Sequence, residues 1–368
     1  MKGAWWKITA ILLLIYSITA GLFVRLGPGI LNISPSIVST DSVISLKVSA
    51  YHTHFNFQSE KSKFWLVFSP RNKDEKQVEI CAFRTTQLTD TSIQLYFQTN
   101  TGLPFDFRAT DSFIVGDLII NTAADGNIVL PDAVVIQRTN KYQTGGKQAC
   151  VYQVSSEKAK YFNFPFRNSL YETVRNVLFH VPMWFAMMAL FGMSLWYSIR
   201  YLLTQDMAYD MLSATYIRIG LVFATCGLIT GAFWARFTWG KYWVLDDPKL
   251  NGAAIMCLMY FAYMVLRGSI SSNTAKAKTS AVFNIFAAAS VVPLLYIYPN
   301  MTSSLHPGNG GNVAFSNYDL NNNLRMVFYP ACIAWILIGL WTTNITVRIN
   351  KLDLKVKLKI ADQSKKNK

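Results

Sequence analysis

The chain has 368 residues, 52% of them apolar, with a formal charge of +15. That apolar share, with a positive mean hydropathy, excludes an ordinary soluble domain and puts the membrane class first. Runs long enough to cross a hydrocarbon core of roughly 30 Å, which takes about 20 helical residues, recur six times. They predict helices at Ile8–Val24, Val177–Leu202, Tyr216–Phe237, Gly252–Ser269, Ala281–Tyr298 and Arg325–Val347.

The first run follows Lys2 and Lys7 and carries Ser17 and Ala20 where a signal peptidase could cut. It is longer than a signal's apolar region, and Ile18 suits a cleavage site poorly. It is therefore read as a retained transmembrane helix in a segment 1–31.

Residues 32–164 change character. Short runs rich in Val, Ile, Phe and Tyr alternate with turn residues, at Ser42–Ser49, Phe64–Phe68, Val78–Phe83, Ser92–Phe97, Phe113–Asn121, Val134–Gln137 and Ala149–Val154. About seven strands of this kind predict an immunoglobulin-like β-sandwich inserted after the first helix. His52 and His54 share one face of a strand, but no third metal ligand accompanies them, and a surface position is the simpler reading. Cys81 and Cys150 lie in this segment and could pair if it sits outside the cytoplasm.

From residue 165 to 348 the pattern is five helices with short connections and two long ones, Arg236–Asn251 and Asn300–Leu324. Cys226, Cys257 and Cys332 fall within these helices, where a lone cysteine is usually a small buried hydrophobe. Lys2, Lys7, Arg200, Arg267, Lys276, Lys278 and the basic tail of residues 349–368 all fall on one side if both termini are cytoplasmic. The positive-inside rule thus accounts for the charge, and no nucleic-acid partner is implied. By this count the β domain and both long connections share the outer face.

Three outer elements carry chemistry. His180 stands in RNVLFHVPMWF at the start of the second helix, where Pro182 suits the first turn. His306 stands in SLHPGNGG before the sixth. Two neutral imidazoles on one face can ligate a haem iron from opposite sides, although each alone could be an interfacial residue or an incidental turn position. Between them lies TWGKYWVLDDPKLNGA, Thr238–Ala253, whose Trp239, Tyr242 and Trp243 offer a shelf for a porphyrin or a simple interfacial belt.

The stretch WG-x-YW followed by Asp, with FHVP before it and LHPGNGG after it, resembles the tryptophan-rich WWD signature of the CcmC/CcsA haem-handling family. The resemblance covers Met1 to about Asn32 and Pro165 to about Arg348, and the β domain is absent from the family's usual pattern. It implies haem b held by His180 and His306 as axial ligands, with Trp239, Gly240, Tyr242, Trp243 and Asp246 as the WWD segment. Leu245 replaces a third Trp, and the extra Asp247 competes with Asp246, which direct spacing from Trp239 favours. Arg175 and Arg325, with Arg236 and Lys241, are candidate propionate partners, although Lys241 suits interfacial anchoring.

The resemblance further implies a multi-pass bacterial inner-membrane protein that presents haem to the chaperone CcmE for cytochrome c maturation. The ATP-driven CcmAB unit and a CcmD-like small subunit would be its partners. Haem transfer rather than catalysis is expected, and the chain carries no P-loop of its own. The alternatives are a CcsA-like cytochrome c synthase, or a membrane-anchored binding or transport protein that does not handle haem.

Overall fold

The computed structural model describes residues 3–39, 43–55, 62–68, 78–98, 113–122, 124–137, 162–168, 170–302, 304–306 and 320–366. The chain divides into two compact units, Arg25–Tyr171 and the combination of Met1–Val24 with Glu172–Lys368.

The second unit is helical: α1 (Trp5–Phe23), α2 (Val177–Thr204), α3 (Met207–Trp239), α4 (Pro248–Ser269), α5 (Asn273–Val292), α6 (Tyr298–Met301) and α7 (Asn322–Lys366). A π-helical turn, Pro293–Ile297, joins α5 to α6 where Pro293 has no amide to donate. Six helical stretches are long and apolar enough to cross a membrane.

Several helices exceed their apolar runs because polar side chains close their ends. Asp206 accepts from the amide of Ala208 at 2.8 Å and starts α3 at Met207 instead of Tyr216. The polar first turn that results is tolerated because Asp210 meets Arg267 of α4 in a two-pronged pair, at 2.7 and 2.5 Å. Farther in, the fully buried Asn284 of α5 donates to Ser194 and Ser198 of α2 at 3.1 and 2.9 Å, while Ser213 of α3 bonds Ser198 at 2.8 Å. This cluster ties three helices together where no water is present to satisfy an amide.

The first unit is one eight-stranded sheet rather than two separate ones. Its strands are β1 (Gly29–Ser34), β2 (Ile37–Ser39), β3 (Ile44–Tyr51), β4 (Lys63–Phe68), β5 (Val78–Thr89), β6 (Ser92–Phe97), β7 (Phe113–Thr122) and β8 (Gly126–Gln137), in the order β1-β3-β6-β5-β4-β7-β8-β2. The cause is β5, whose first residues, Val78–Cys81, pair with β4 and whose remainder, from Ala82 on and through a bulge between Ala82 and Arg84, pairs with β6. The sheet therefore curls, β1 comes back against β8, and both halves line one core that includes Leu46, Phe64, Leu66, Phe97, Leu118 and Val134. Strands β1 and β2 add to the expected set, while Ala149–Val154 and Cys150 lie outside the described residues. Cys81 is disulfide-bonded. His54 meets Asp125 at 3.2 Å, and no cluster of potential metal ligands occurs among the described residues.

Candidate functional site

His180 occupies the first turn of α2 and leans on α3. Its Nδ1 lies 3.0 Å from the carbonyl oxygen of Gly227 and 3.2 Å from Oγ1 of Thr230. A carbonyl can only accept, so Nδ1 carries the proton and Nε2 keeps the lone pair. The indoles of Trp184 and Trp234 flank the imidazole edge-on, with centroids at 6.1 and 5.8 Å.

That placement depends on three glycines of α3. A Cβ on Gly231 would lie 2.6 Å from Cε1 of His180, one on Gly227 2.9 Å from Trp184, and one on Gly220 2.5 Å from Phe191. Three rings of α2 thus enter three glycine notches of α3 in a single antiparallel register, and the His180 ring is the last of the row. Gly227 and Gly231 form a G-x-x-x-G spacing, which lets two helix backbones approach closely.

His306 is positioned by a carboxylate. Asp247 is the N-cap of α4, its Oδ1 accepting from the amides of Lys249 and Leu250 at 3.0 Å each. Its Oδ2 accepts from Oγ of Ser304 and the amide of Leu305, both at 2.8 Å. Nδ1 of His306 lies 3.4 Å from Oδ1, and its own amide donates to Ser304 at 3.2 Å. Burial alone would raise the carboxyl of Asp247, but the contacts from His306, Leu250, Leu305 and Ser304 outweigh it and hold Asp247 ionised well below the usual carboxylate range. Trp239, the last residue of α3, stands edge-on to the His306 ring at 5.1 Å.

The segment from Trp239 to Asp247 is therefore split. Trp239, Asp247 and His306 come together, and Gly240 permits it by ending α3 in the left-handed conformation, φ 75°. Arg236 donates to the carbonyl of Gly240 and lies over the ring of Tyr242, which is 56% exposed. Trp243 is half-buried. Asp246, the acidic residue favoured by spacing, is exposed; the carboxylate that reaches His306 is that of Asp247.

Of the four candidate propionate partners, Arg175 is committed elsewhere. Its guanidinium donates to the carbonyls of Gly21 and Val24 at 2.9 and 2.6 Å and to Glu172 at 2.5 Å, closing the C-terminal end of α1. Arg325 is half-buried in the first turn of α7, and Lys241 is exposed.

The two imidazoles share one local arrangement. In each, Nδ1 faces an acceptor in the protein, the arrangement that orients an imidazole to bind a metal through Nε2. Around them stand Trp184, Trp234 and Trp239, broad apolar surface of the kind a porphyrin needs. The donor set and its surroundings fit a haem. Sequence reasoning passed over Gly227, Thr230, Gly231, Trp184, Trp234 and Ser304. The G-x-x-x-G pair was the one signal that could have been read; the others emerge only when α2 lies on α3.

A family profile described as CcmC, heme exporter protein C, matches residues 143–365, more than half of the chain. The chain is 28% identical over 134 residues to the heme exporter protein C of Bradyrhizobium diazoefficiens, covering 36% of this chain and 50% of that protein. It is 29% identical over 136 residues to that of Rhodobacter capsulatus, covering 37% and 56%. A shorter stretch of 58 residues is 48% identical to the cytochrome c biogenesis protein CcsA of Prochlorococcus marinus, covering 16% and 18%. The chain spans about half the length of the heme exporter proteins that it matches. With six apolar spans, it is a multi-pass membrane protein. It belongs to the CcmC, heme exporter protein C, family.

Proposed function

We propose that this chain holds haem b between His180 and His306 and presents it for cytochrome c maturation. The observation that carries the reading is the shared design of the two imidazoles, each with Nδ1 turned to a protein acceptor. When bound, the haem would supply an iron for nitrogen donors to hold, and His180 and His306 would hold it. The chain's own residues orient those nitrogens, and Trp239 with Trp184 and Trp234 gives apolar contact. Arg325 and Arg236 are assigned to the propionates, and Tyr242 and Trp243 to the rim of the ring, by their places in the sequence around Trp239 and His306. Delivery to the chaperone CcmE, with CcmAB and a CcmD-like subunit as partners, is part of the same proposal, and membership of the heme exporter protein C family supports it. An inner-membrane location with the β domain in the periplasm belongs to the proposal too, supported by the six apolar spans and by the clustering of basic residues in the connections assigned to the other side.

A CcsA-like synthase is the second reading, favoured by the 48% local identity. It would need additional imidazoles along the helices to receive haem from the inner side. The chain has four histidines, and His52 and His54 belong to the β unit.

An absorption spectrum of the detergent-purified protein, beside His180→Ala and His306→Ala, tests the proposal. Bis-imidazole bands that are lost in either variant are expected. A wild-type protein that neither copurifies with haem nor takes it up on reconstitution would overturn it.

A further inference from the structure

Helix α7 is longer than a membrane crossing requires. It runs for 45 residues, about 67 Å at about 1.5 Å per residue, whereas about 20 residues cross the hydrocarbon core. Its apolar membrane segment ends near Val347, and the sequence then becomes KLDLKVKLKI. Leu352, Leu354, Val356, Leu358 and Ile360 alternate there with Lys351, Asp353, Lys355, Lys357 and Lys359.

Every one of those five apolar side chains is exposed, from 54% for Val356 to 61% for Leu352. A single exposed leucine is ordinary; five within ten residues make a patch that a water-facing segment does not normally keep. The positive-inside rule accounts for the lysines but not for the alternation. A solvated helix accounts for neither. As a helix the segment splits its apolar groups between two sides, with Leu352, Val356 and Ile360 in one stripe and Leu354 and Leu358 opposite. As an extended chain it would carry all five on one side and the lysines on the other.

The charge says what the patch faces. Arg348, Lys351, Lys355, Lys357, Lys359, Lys365 and Lys366 stand against only Asp353 and Asp362, and Asp353 is engaged with Lys357 at 2.7 Å. Lys351, Lys355 and Lys359 follow one another at a spacing of one helical turn, with Arg348 just ahead. A dense basic segment immediately beyond a transmembrane helix is attracted to anionic headgroups, by about fivefold in population for each lysine near the surface. The tether is already in the bilayer, so that surface is reached without a diffusional search.

We propose that Lys351–Ile360 rests on the bilayer that the chain itself crosses, with its apolar side chains among the upper acyl chains and its lysines on the phosphates of anionic phospholipids. This requires α7, helical through Lys366 in the structure, to break at Arg348–Asn350 on the bilayer and Lys351–Ile360 to become extended there, so that its five apolar side chains share one side. The tail is then a lipid-sensing anchor that reports the charge of its own leaflet.

The test uses the full chain with Cys226, Cys257 and Cys332 replaced by alanine and a nitroxide at Val356→Cys, in nanodiscs of phosphatidylcholine with or without phosphatidylglycerol. With phosphatidylglycerol the label should be protected from a water-soluble nickel relaxant and open to oxygen. In phosphatidylcholine alone it should be open to the nickel reagent. A Lys355→Gln/Lys359→Gln variant should weaken the anionic preference by about twenty-five-fold at an unchanged melting temperature. A label equally water-accessible in both lipids would mean a helix that stands away from the membrane, ready for a protein partner instead, and would overturn the proposal. Equal protection in both lipids would overturn it too.

Discussion

Replacing Asp247 by asparagine separates its two tasks. The wild-type carboxylate, with 0% of its side chain exposed, accepts the amides of Lys249 and Leu250 on one oxygen and Ser304 and Leu305 on the other. Asparagine caps a helix about as well as aspartate, so one side survives. The other then presents an NH2 group to the amide of Leu305, donor against donor. A hydrogen bond to a charged group contributes about 1.5–3 kcal/mol, so Asp247→Asn should cost about 2 kcal/mol of stability. His306 also loses the carboxylate behind Nδ1, a change that typically costs about 10- to 100-fold in affinity for a bound metal. Thermal melting and haemin titration on the purified protein measure both. Asp246→Asn, at an exposed position, is the control and should stay within about 0.5 kcal/mol. Asp247 titrates below its ordinary value in the fold. Its contribution is therefore complete above the unfolded value of about 3.9 and fades only as pH falls through the lower folded value. The wild type should hold the His306 loop through mildly acid solution, and Asp247→Asn should show no transition of that origin. Haem affinity and melting unchanged in Asp247→Asn, or a larger loss in Asp246→Asn, would refute the reasoning.

Gly231→Ala should displace His180 and abolish its bands in the haem spectrum, because the new Cβ would lie 2.6 Å from Cε1; Gly192→Ala, with nothing within 4 Å, controls for the helical preference of alanine. Arg175→Gln should lower the melting temperature by releasing the end of α1 while leaving haem affinity within about twofold of wild type. A large affinity loss with unchanged melting would restore Arg175 to the haem. Asn284→Ala leaves the Ser194 and Ser198 hydroxyls without their donor and should cost about 0.6–1.7 kcal/mol, the range for polar contacts between membrane helices. Denaturant titration with the haem spectrum as a second signal checks that this loss does not reach the site.

Hydropathy located every crossing, because a run of apolar residues carries its own signal, but it placed ends badly. The start of α3 at Met207 depends on Asp206 and on the pairing of Asp210 with a residue 57 positions away, which no local window contains. Strands β3 to β8 were legible from alternation, whereas the short β1 and β2 exist only by pairing with β3 and β8. In the site, the two histidines were legible as residue types beside the ends of apolar runs. The choice between Asp246 and Asp247 was not, since spacing from Trp239 ranks neighbours by position while burial and capping select the residue whose side chain turns inward. Arg175 shows the converse. Its charge beside His180 suggested a ligand contact, and its fork is instead filled by two main-chain carbonyls.

That same arginine gives the chain a property of another kind. Within the helical unit, Arg175 holds the carbonyls of Gly21 and Val24, so the strand of chain that departs and the one that returns are fastened within one side chain's reach. Within the β unit, Arg25 and Gly27 exchange main-chain bonds with Phe164 at 3.0 and 2.8 Å, which pairs that unit's own two ends. The helical unit thus ties its own chain ends together, Gly21 and Val24 to Arg175, with contacts of its own. Replacing residues 25–171 by a short linker should therefore leave the transmembrane helices folded, and circular dichroism with thermal melting of the shortened chain would check it.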